Sequence, residues 1–170
     1  WLNADDTYEP GALSRVVEEY RNVQFNWCFG NCRYIDSNGS EIRRFLTNYK
    51  MQQCKRYSYR RLLRRDFIPQ PAVFMTRNAF ESVGAFDVQL RYSMDYDYWL
   101  RLARLDSPLY INQFLANFRW HPESKNGGRY REAAWETYLT ARRHATNSGA
   151  LDIAMHRGHY IVLSVLYRFL

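Results

Sequence analysis

The sequence predicts an α/β domain, and three observations predict it. Val23, Phe25, Trp27 and Phe29 alternate with Gln24, Asn26 and Cys28, which is the period of a strand. Leu13, Val16, Val17 and Tyr20 fall at i, i+3, i+4 and i+7, which is the period of one buried helix face. The stretch from Phe67 to Arg104, FIPQPAVFMTRNAFESVGAFDVQLRYSMDYDYWLRLAR, runs strand, turn, helix, loop, helix. Strand and helix periods that take turns along a chain describe a sheet covered by helices. A chain of 170 residues with 46% hydrophobic content holds enough apolar material for one core.

Trp1-Leu2-Asn3-Ala4 is apolar and reads as a buried strand cut short, with Asp5 and Asp6 at its C-terminal end. Ligands in open α/β sheets bind beyond the carboxyl ends of strands, so a metal or nucleotide site belongs there. Asp5-Asp6 equally suits a cap for the helix that starts at Pro10-Gly11. Gly30 breaks the strand that follows. Arg33 to Ile35 and Ile42 to Phe45 flank Asp36-Ser37-Asn38-Gly39, and Asn-Gly is a strong hairpin signal. Lys50 to Asp66 carries Lys55, Arg56, Arg60, Arg61, Arg64 and Arg65, with a thin apolar edge at Leu62-Leu63. It reads as a solvated surface helix or loop, or as a patch that meets an anionic acceptor or a membrane surface.

Ala72 to Met75 reads as a strand, Thr76 to Asn78 as a turn, and the next residues as a short helix closed by Gly84. The following helix opens on Ser93-Met94-Asp95-Tyr96-Asp97. Carboxylates in a first turn are favoured by the macrodipole and the free amides there. Leu109 to Ile111 and Phe114 to Phe118 read as two short strands, and Glu123 to Gly128 as a polar loop. Helices follow at Arg129 to Thr146 and Leu151 to Leu170, separated by a stop at Asn147-Ser148-Gly149.

In order and in combination, WLNADDTYEPGAL, QPAVFMTRNAFESVGAFDVQLRYSMDYDYWLRLA and FRWHPESK resemble the catalytic domain of family-2 glycosyltransferases. These have the GT-A fold, a Rossmann-like fold of nucleotide-diphospho-sugar transferases. The resemblance runs from Trp1 to about Lys125. It implies that the chain lacks the first part of the sheet. Residues 1–128 would form the C-terminal part of the catalytic domain and 129–170 a helical extension. It implies inverting, metal-dependent transfer of a sugar from a nucleotide-diphosphate sugar to a hydroxyl of a saccharide or lipid-linked acceptor. The setting it implies is surface polysaccharide or glycolipid synthesis, in the cytoplasm, at the inner face of a membrane.

The resemblance also implies roles. Asp6 would bind the divalent ion, with Asp5 beside it facing the donor. His121 occupies the place of a second metal ligand, although a lone histidine at a strand end also reads as structural. Carboxylate, imidazole and diphosphate oxygens suit Mn²⁺ or Mg²⁺, and the imidazole favours Mn²⁺. Asp95 would be the base that takes the acceptor proton. Met94 stands where many relatives carry glutamate, which bears on the acceptor more than on activity. Asp97 is a second acceptor-side candidate, or simply a first-turn carboxylate. Gln70, held extended between Pro69 and Pro71, and Gly84 are donor-pocket candidates, against a plain loop and a helix C-cap. The Q-x-x-R-W motif of processive members does not occur.

A net charge of +7 favours anionic partners: nucleotide diphosphates, acidic lipid surfaces or nucleic acid. No RRM, KH or zinc-finger signature appears, so nucleic acid is not an expected partner. A basic nucleic-acid-binding module remains the alternative from another class, and an inactive sugar-nucleotide-binding relative the third. Cys28, Cys32 and Cys54 have no disulfide-like spacing, which suits a reducing compartment. No apolar run reaches the roughly 20 residues of a membrane span.

Overall fold

The computed structural model describes residues 1–121, 129–146 and 149–166. The loop and domain boundary expected at 123–128, the stop at Asn147-Ser148 and the last helix beyond Leu166 lie outside the described residues. The strands are β1 (Thr7–Tyr8), β2 (Trp27–Ile35), β3 (Glu41–Ile42), β4 (Val73–Met75) and β5 (Leu109–Arg119). The helices are α1 (Ala12–Val23), α2 (Arg44–Lys55), α3 (Tyr59–Arg64), α4 (Arg77–Val83), α5 (Met94–Leu105), α6 (Tyr130–His144) and α7 (Ala150–Leu166), with a 3₁₀ turn at Gln70–Ala72.

One mixed sheet forms the centre. β2 and β5 run parallel, β1 pairs antiparallel with β5, and β3 and β4 both pair antiparallel with β2. This is the predicted α/β class, consistent with the Rossmann-like fold expected from the resemblance. β2 is buried on both faces. Trp27 and Phe29 join Leu62, Leu63, Trp99 and Leu102 of α3 and α5 in one layer. Cys28 and Cys32 join Ala12, Ile111 and Leu115 in the other. Trp27 and Trp99 stack with centroids 6.3 Å apart. Burial pushes each of the three free thiols up to about 12.

The structure redraws several predicted elements. Trp1–Ala4 is not a strand. Its backbone is held by a turn, Asp6 N donating to Asn3 O at 3.3 Å, and by Gln70 Nε2 donating to Trp1 O at 2.9 Å. α1 extends to Val23, so the alternation at 23–29 mixes a helix end with a strand start. α1 meets the sheet through Ala12 and Val16, whereas Leu13 and Val17 are 55% and 48% exposed. β2 continues through Gly30. A Cβ there would stand 2.5 Å from the Leu115 side chain, so glycine lets β5 close on β2. The register shifts at this point, with Gly30 opposite Ile111 and Asn31 opposite Phe114. The two predicted strands at 109–118 are therefore one bulged strand. The hairpin forms as expected: Asp36 Oδ1 accepts from Asn38 N at 2.8 Å and Ser40 N at 2.9 Å, with Gly39 at φ +82°. Its second arm is shorter than predicted, because Arg44 and Phe45 begin α2.

α6 and α7 pack against α3 and α5. Fully buried Asp152 accepts from Arg60 Nε at 2.9 Å and Arg64 Nε at 2.6 Å. His156 Nδ1 donates to Leu63 O at 2.8 Å. The basic stretch is thus not a uniformly solvated face: Leu62 and Leu63 are core, and two of its arginines serve a buried carboxylate. Among the described residues no helix is long and apolar enough to cross a membrane.

Candidate active site

The Asp-Asp turn separates its two carboxylates. Asp6 turns inward: Oδ1 accepts from Arg119 N at 2.9 Å and Oδ2 from Asn3 Nδ2 at 3.1 Å. Burial raises its pKa above the ordinary value, against those two hydrogen bonds. Asp5 stays half exposed, with Oδ2 3.4 Å from His121 Nε2. Two donor atoms that each lie about 2.1 Å from one ion stand about 3.0–3.4 Å apart, so Asp5 and His121 fit a shared divalent cation. Among the described residues no group of three His, Cys, Asp or Glu side chains could hold a metal ion. Asn3 Nδ2 also donates to Gln70 Oε1 at 2.9 Å. Gln70 therefore ties the acidic turn to the wall of the neighbouring cavity.

That cavity has a volume of about 250 Å³. Asp95 lines it from the first turn of α5, with Gln70, Trp120, Tyr92 and Tyr130 around it. Arg43 stacks over the Trp120 ring at 3.9 Å. Lys50 and Asp66 complete its polar wall. Asp66 Oδ1 is buried with no hydrogen-bond partner among the described residues. Burial and the charge of Asp95 push the Asp66 carboxyl up to about 7, against the pull of Lys50. Burial disfavours the Lys50 charge, but Tyr34 and Asp66 outweigh it and keep the ammonium protonated. Lys50 and Arg43 thus share the cavity with two carboxylates, of which Asp66 can hold a proton near neutral pH.

The position of Asp95 is set from another helix. Glu136 on α6 holds the segment that leads into α5: its Oε1 accepts from Tyr92 N at 2.7 Å, Ser93 N at 2.8 Å and Ser93 Oγ at 3.0 Å. Its Oε2 accepts from Arg91 N at 3.2 Å. Asp95 itself accepts from Tyr96 N at 2.8 Å and faces the cavity.

Asp97 lies elsewhere. It is buried, accepting from His144 Nε2 at 2.7 Å and Arg101 Nε at 2.9 Å. Burial alone would raise its carboxyl, but His144 and Arg101 prevail and lower it below the ordinary value. It is an interior ion-pair hub, stronger than the first-turn carboxylate expected of it. Met94, at the start of α5, is not among the residues lining the cavity. Gly84 does not line it either. At φ +83° it closes α4, its N–H donating to Phe80 O. The sequence reading missed Asp66, Lys50 and Glu136. Asp66 had a signal, as the sole acidic residue between Glu41 and Glu81.

Fold and site together define a Rossmann-like α/β domain with an acidic, ring-lined cavity beside an Asp-His pair. No family model matches the chain. It is 26% identical over 153 residues to the uncharacterized glycosyltransferase MJ1057 of Methanocaldococcus jannaschii, covering 86% of this chain and 50% of that protein. It is 25% identical over 129 residues to the uncharacterized glycosyltransferase RT0329 of Rickettsia typhi, covering 71% and 39%. The uncharacterized glycosyltransferase RC0461 of Rickettsia conorii matches at 25% over 147 residues, covering 82% and 24%. The chain spans half or less of the length of these relatives. The matches support a glycosyltransferase relationship.

Proposed function

We propose that the chain supplies the metal and acceptor sides of an inverting glycosyltransferase of the family-2 type. It would move a sugar from a nucleotide-diphosphate donor to an acceptor hydroxyl, in polysaccharide or glycolipid synthesis. One observation carries the reading: Asp95 faces a cavity whose wall, through Gln70 and Asn3, is tied to the turn that presents Asp5 beside His121. The names of the relatives agree with it.

A divalent cation, when bound, would neutralise the leaving diphosphate; Asp5 and His121 are the side chains that would hold it. Asp6, with both oxygens engaged inside the turn, would position Asp5. Asp95 takes the proton of the acceptor hydroxyl as that oxygen bonds to the anomeric carbon. The bond from that carbon to the diphosphate oxygen breaks, and the nucleoside diphosphate leaves with the electron pair. Asp66, able to hold a proton, would donate a hydrogen bond to a second acceptor oxygen.

The test is Asp95→Asn in the complete protein. Asparagine keeps the shape and cannot take a proton. The expected result is a loss in kcat of roughly 10²–10⁴-fold with donor Kd unchanged. Near-normal transfer by the variant would remove Asp95 as the base and this reading with it.

A further inference from the structure

Asp66, Tyr92 and Tyr130 of the active-site cavity also line a second cavity of about 300 Å³, walled by Ala133, Ala134 and Thr137 of α6. Arg65 and His159 of that second cavity line a third, of about 350 Å³, together with Arg61, Arg64 and Gln53. Shared lining residues set the three side by side, in a row from Asp95, past aromatic rings and small side chains, to a cluster of guanidinium groups.

Part of the positive charge of the cluster has no carboxylate partner among the described residues. Asp152 is already shared between Arg60 and Arg64. Arg61 Nη2 donates to the neutral Gln53 Oε1 at 3.1 Å, and its Nε is buried without a hydrogen-bond partner among the described residues. Arg65 Nη2 lies 3.1 Å from His159 Nδ1; a guanidinium has no acceptor, so Nδ1 accepts and carries no proton. Neither Arg61 nor Arg65 has a carboxylate partner among the described residues. Burial lowers the Arg65 pKa, which marks an undersolvated charge. Guanidinium groups that line one cavity and lack carboxylate partners among the described residues offer the charge and the paired N–H donors that a phosphate takes.

We infer that Arg61, Arg65 and His159 bind a phosphate group carried by the acceptor, with the rest of the acceptor laid along Tyr92 and Tyr130 toward Asp95. The placement of the hydroxyl at Asp95 rests on the proposed function; the phosphate site does not. The arginines line a recess in the same row as the active site, whereas a bilayer surface would be met by an open, outward-facing patch. The phosphate could sit on a soluble sugar phosphate or on a lipid carrier, and the chemistry at the arginines is the same.

His159 is the reporter. Burial, Arg65 and His156 hold its pKa down to about 4, and Arg61 and Arg64 share its cavity. A bound phosphate opposes all of these charges and must raise it. The experiment follows the histidine side-chain resonances of the chain by NMR while inorganic phosphate, glucose 1-phosphate, decyl phosphate or glucose is added at constant ionic strength. The phosphates should bind, move the His159 signals and raise its pKa, and glucose should do neither. Arg61→Gln and Arg65→Gln, each checked for an unchanged Tm, should weaken binding at least tenfold. Tighter binding of decyl phosphate than of glucose 1-phosphate assigns the phosphate to a lipid carrier, and the reverse order to a sugar phosphate. Phosphates that leave His159 unmoved overturn the inference, as does binding that survives both variants. Vesicles of phosphatidylcholine with phosphatidylglycerol that bind through Arg61 and Arg65, where soluble phosphates do not, would replace it with a membrane contact. Loss of the Asp95 assignment would leave this phosphate site standing, and failure here would leave the Asp95 assignment intact.

Discussion

Two aspartates two residues apart on α5 do opposite work, and their surroundings decide which. Asp95 faces a cavity, whereas Asp97 is buried between His144 and Arg101. Removing one member of a buried ion pair costs about 3–5 kcal/mol, because the partner charge stays behind. Asp97→Ala should therefore destabilise the fold by about that amount at pH 7, while Asp95→Asn leaves stability nearly unchanged. The sign with pH follows from the lowered Asp97 pKa. Its contribution is complete above the ordinary value of 3.8 and is lost as pH falls through the lower folded value. Urea unfolding of both forms should show the gap closing in acid; a gap that stays constant from pH 7 to pH 2 would break the linkage. The sequence placed both carboxylates in the first turn correctly. It could not separate them, because the residues that do so, His144 and Glu136, arrive from a helix over forty positions away. Asp66 was legible as an isolated acid in a basic run, but its burial was not. Asp5 and Asp6 are neighbours in sequence, and only the turn at Asn3 shows that Asp6 faces inward while Asp5 stays half exposed beside His121.

At the scale of elements, the start of α5 is the joint on which the site depends. Its serine cap makes no side-chain bond to the helix amides; Glu136 of α6 instead fixes the residues just before the helix, accepting from Arg91, Tyr92 and Ser93 N. Glu136→Gln keeps the length and removes the charge, weakening bonds to several donors that each contribute about 1–3 kcal/mol when the acceptor is charged. Glu136 acts through Arg91, Tyr92 and Ser93, which lead into α5, and is a positioning residue. The variant should lower kcat with little change in KM, and should speed amide hydrogen exchange at Tyr92 and Ser93. Unchanged exchange there would show that α5 is set by packing alone. Local chemistry made some elements readable. Asn-Gly with Asp36 wrote the hairpin, Thr76 capped α4 by accepting from Ala79 N at 3.1 Å, and Gly84 closed it. Other elements were misread where tertiary contacts override local pattern. Gly30 looks like a strand breaker and is instead the point where Leu115 presses on β2. Residues 109–119 look like two strands because a bulge interrupts their alternation.

For the whole molecule, the sheet and its two apolar layers follow from periodicity, but the joining of the helical extension to them does not. That joining rests on pairs far apart in sequence: Asp152 with Arg60 and Arg64, His144 with Asp97, Glu136 with the start of α5, His156 with Leu63. No sequence period announces such pairs. They also give the extension a consequence larger than that of a tail. Without residues 129–170, Asp97 would keep Arg101 but lose His144, the segment leading into α5 would lose Glu136, and Arg60 and Arg64 would lose the carboxylate that fixes them. The apolar surfaces of α3 and α5 now covered by α6 and α7 would meet water. A buried pair broken, the entry to α5 released and that exposure together rival the roughly 5–15 kcal/mol by which a domain of this size is stable. A fragment ending at residue 128 should therefore lack a cooperative thermal transition and show poorly dispersed amide resonances, where the 170-residue chain melts in one step. Circular dichroism melts and NMR spectra of the two forms decide it. A fragment that melts cooperatively within a few degrees of the full chain would mean that α6 and α7 dock on a core already complete, and that Asp95 can be held in place without Glu136.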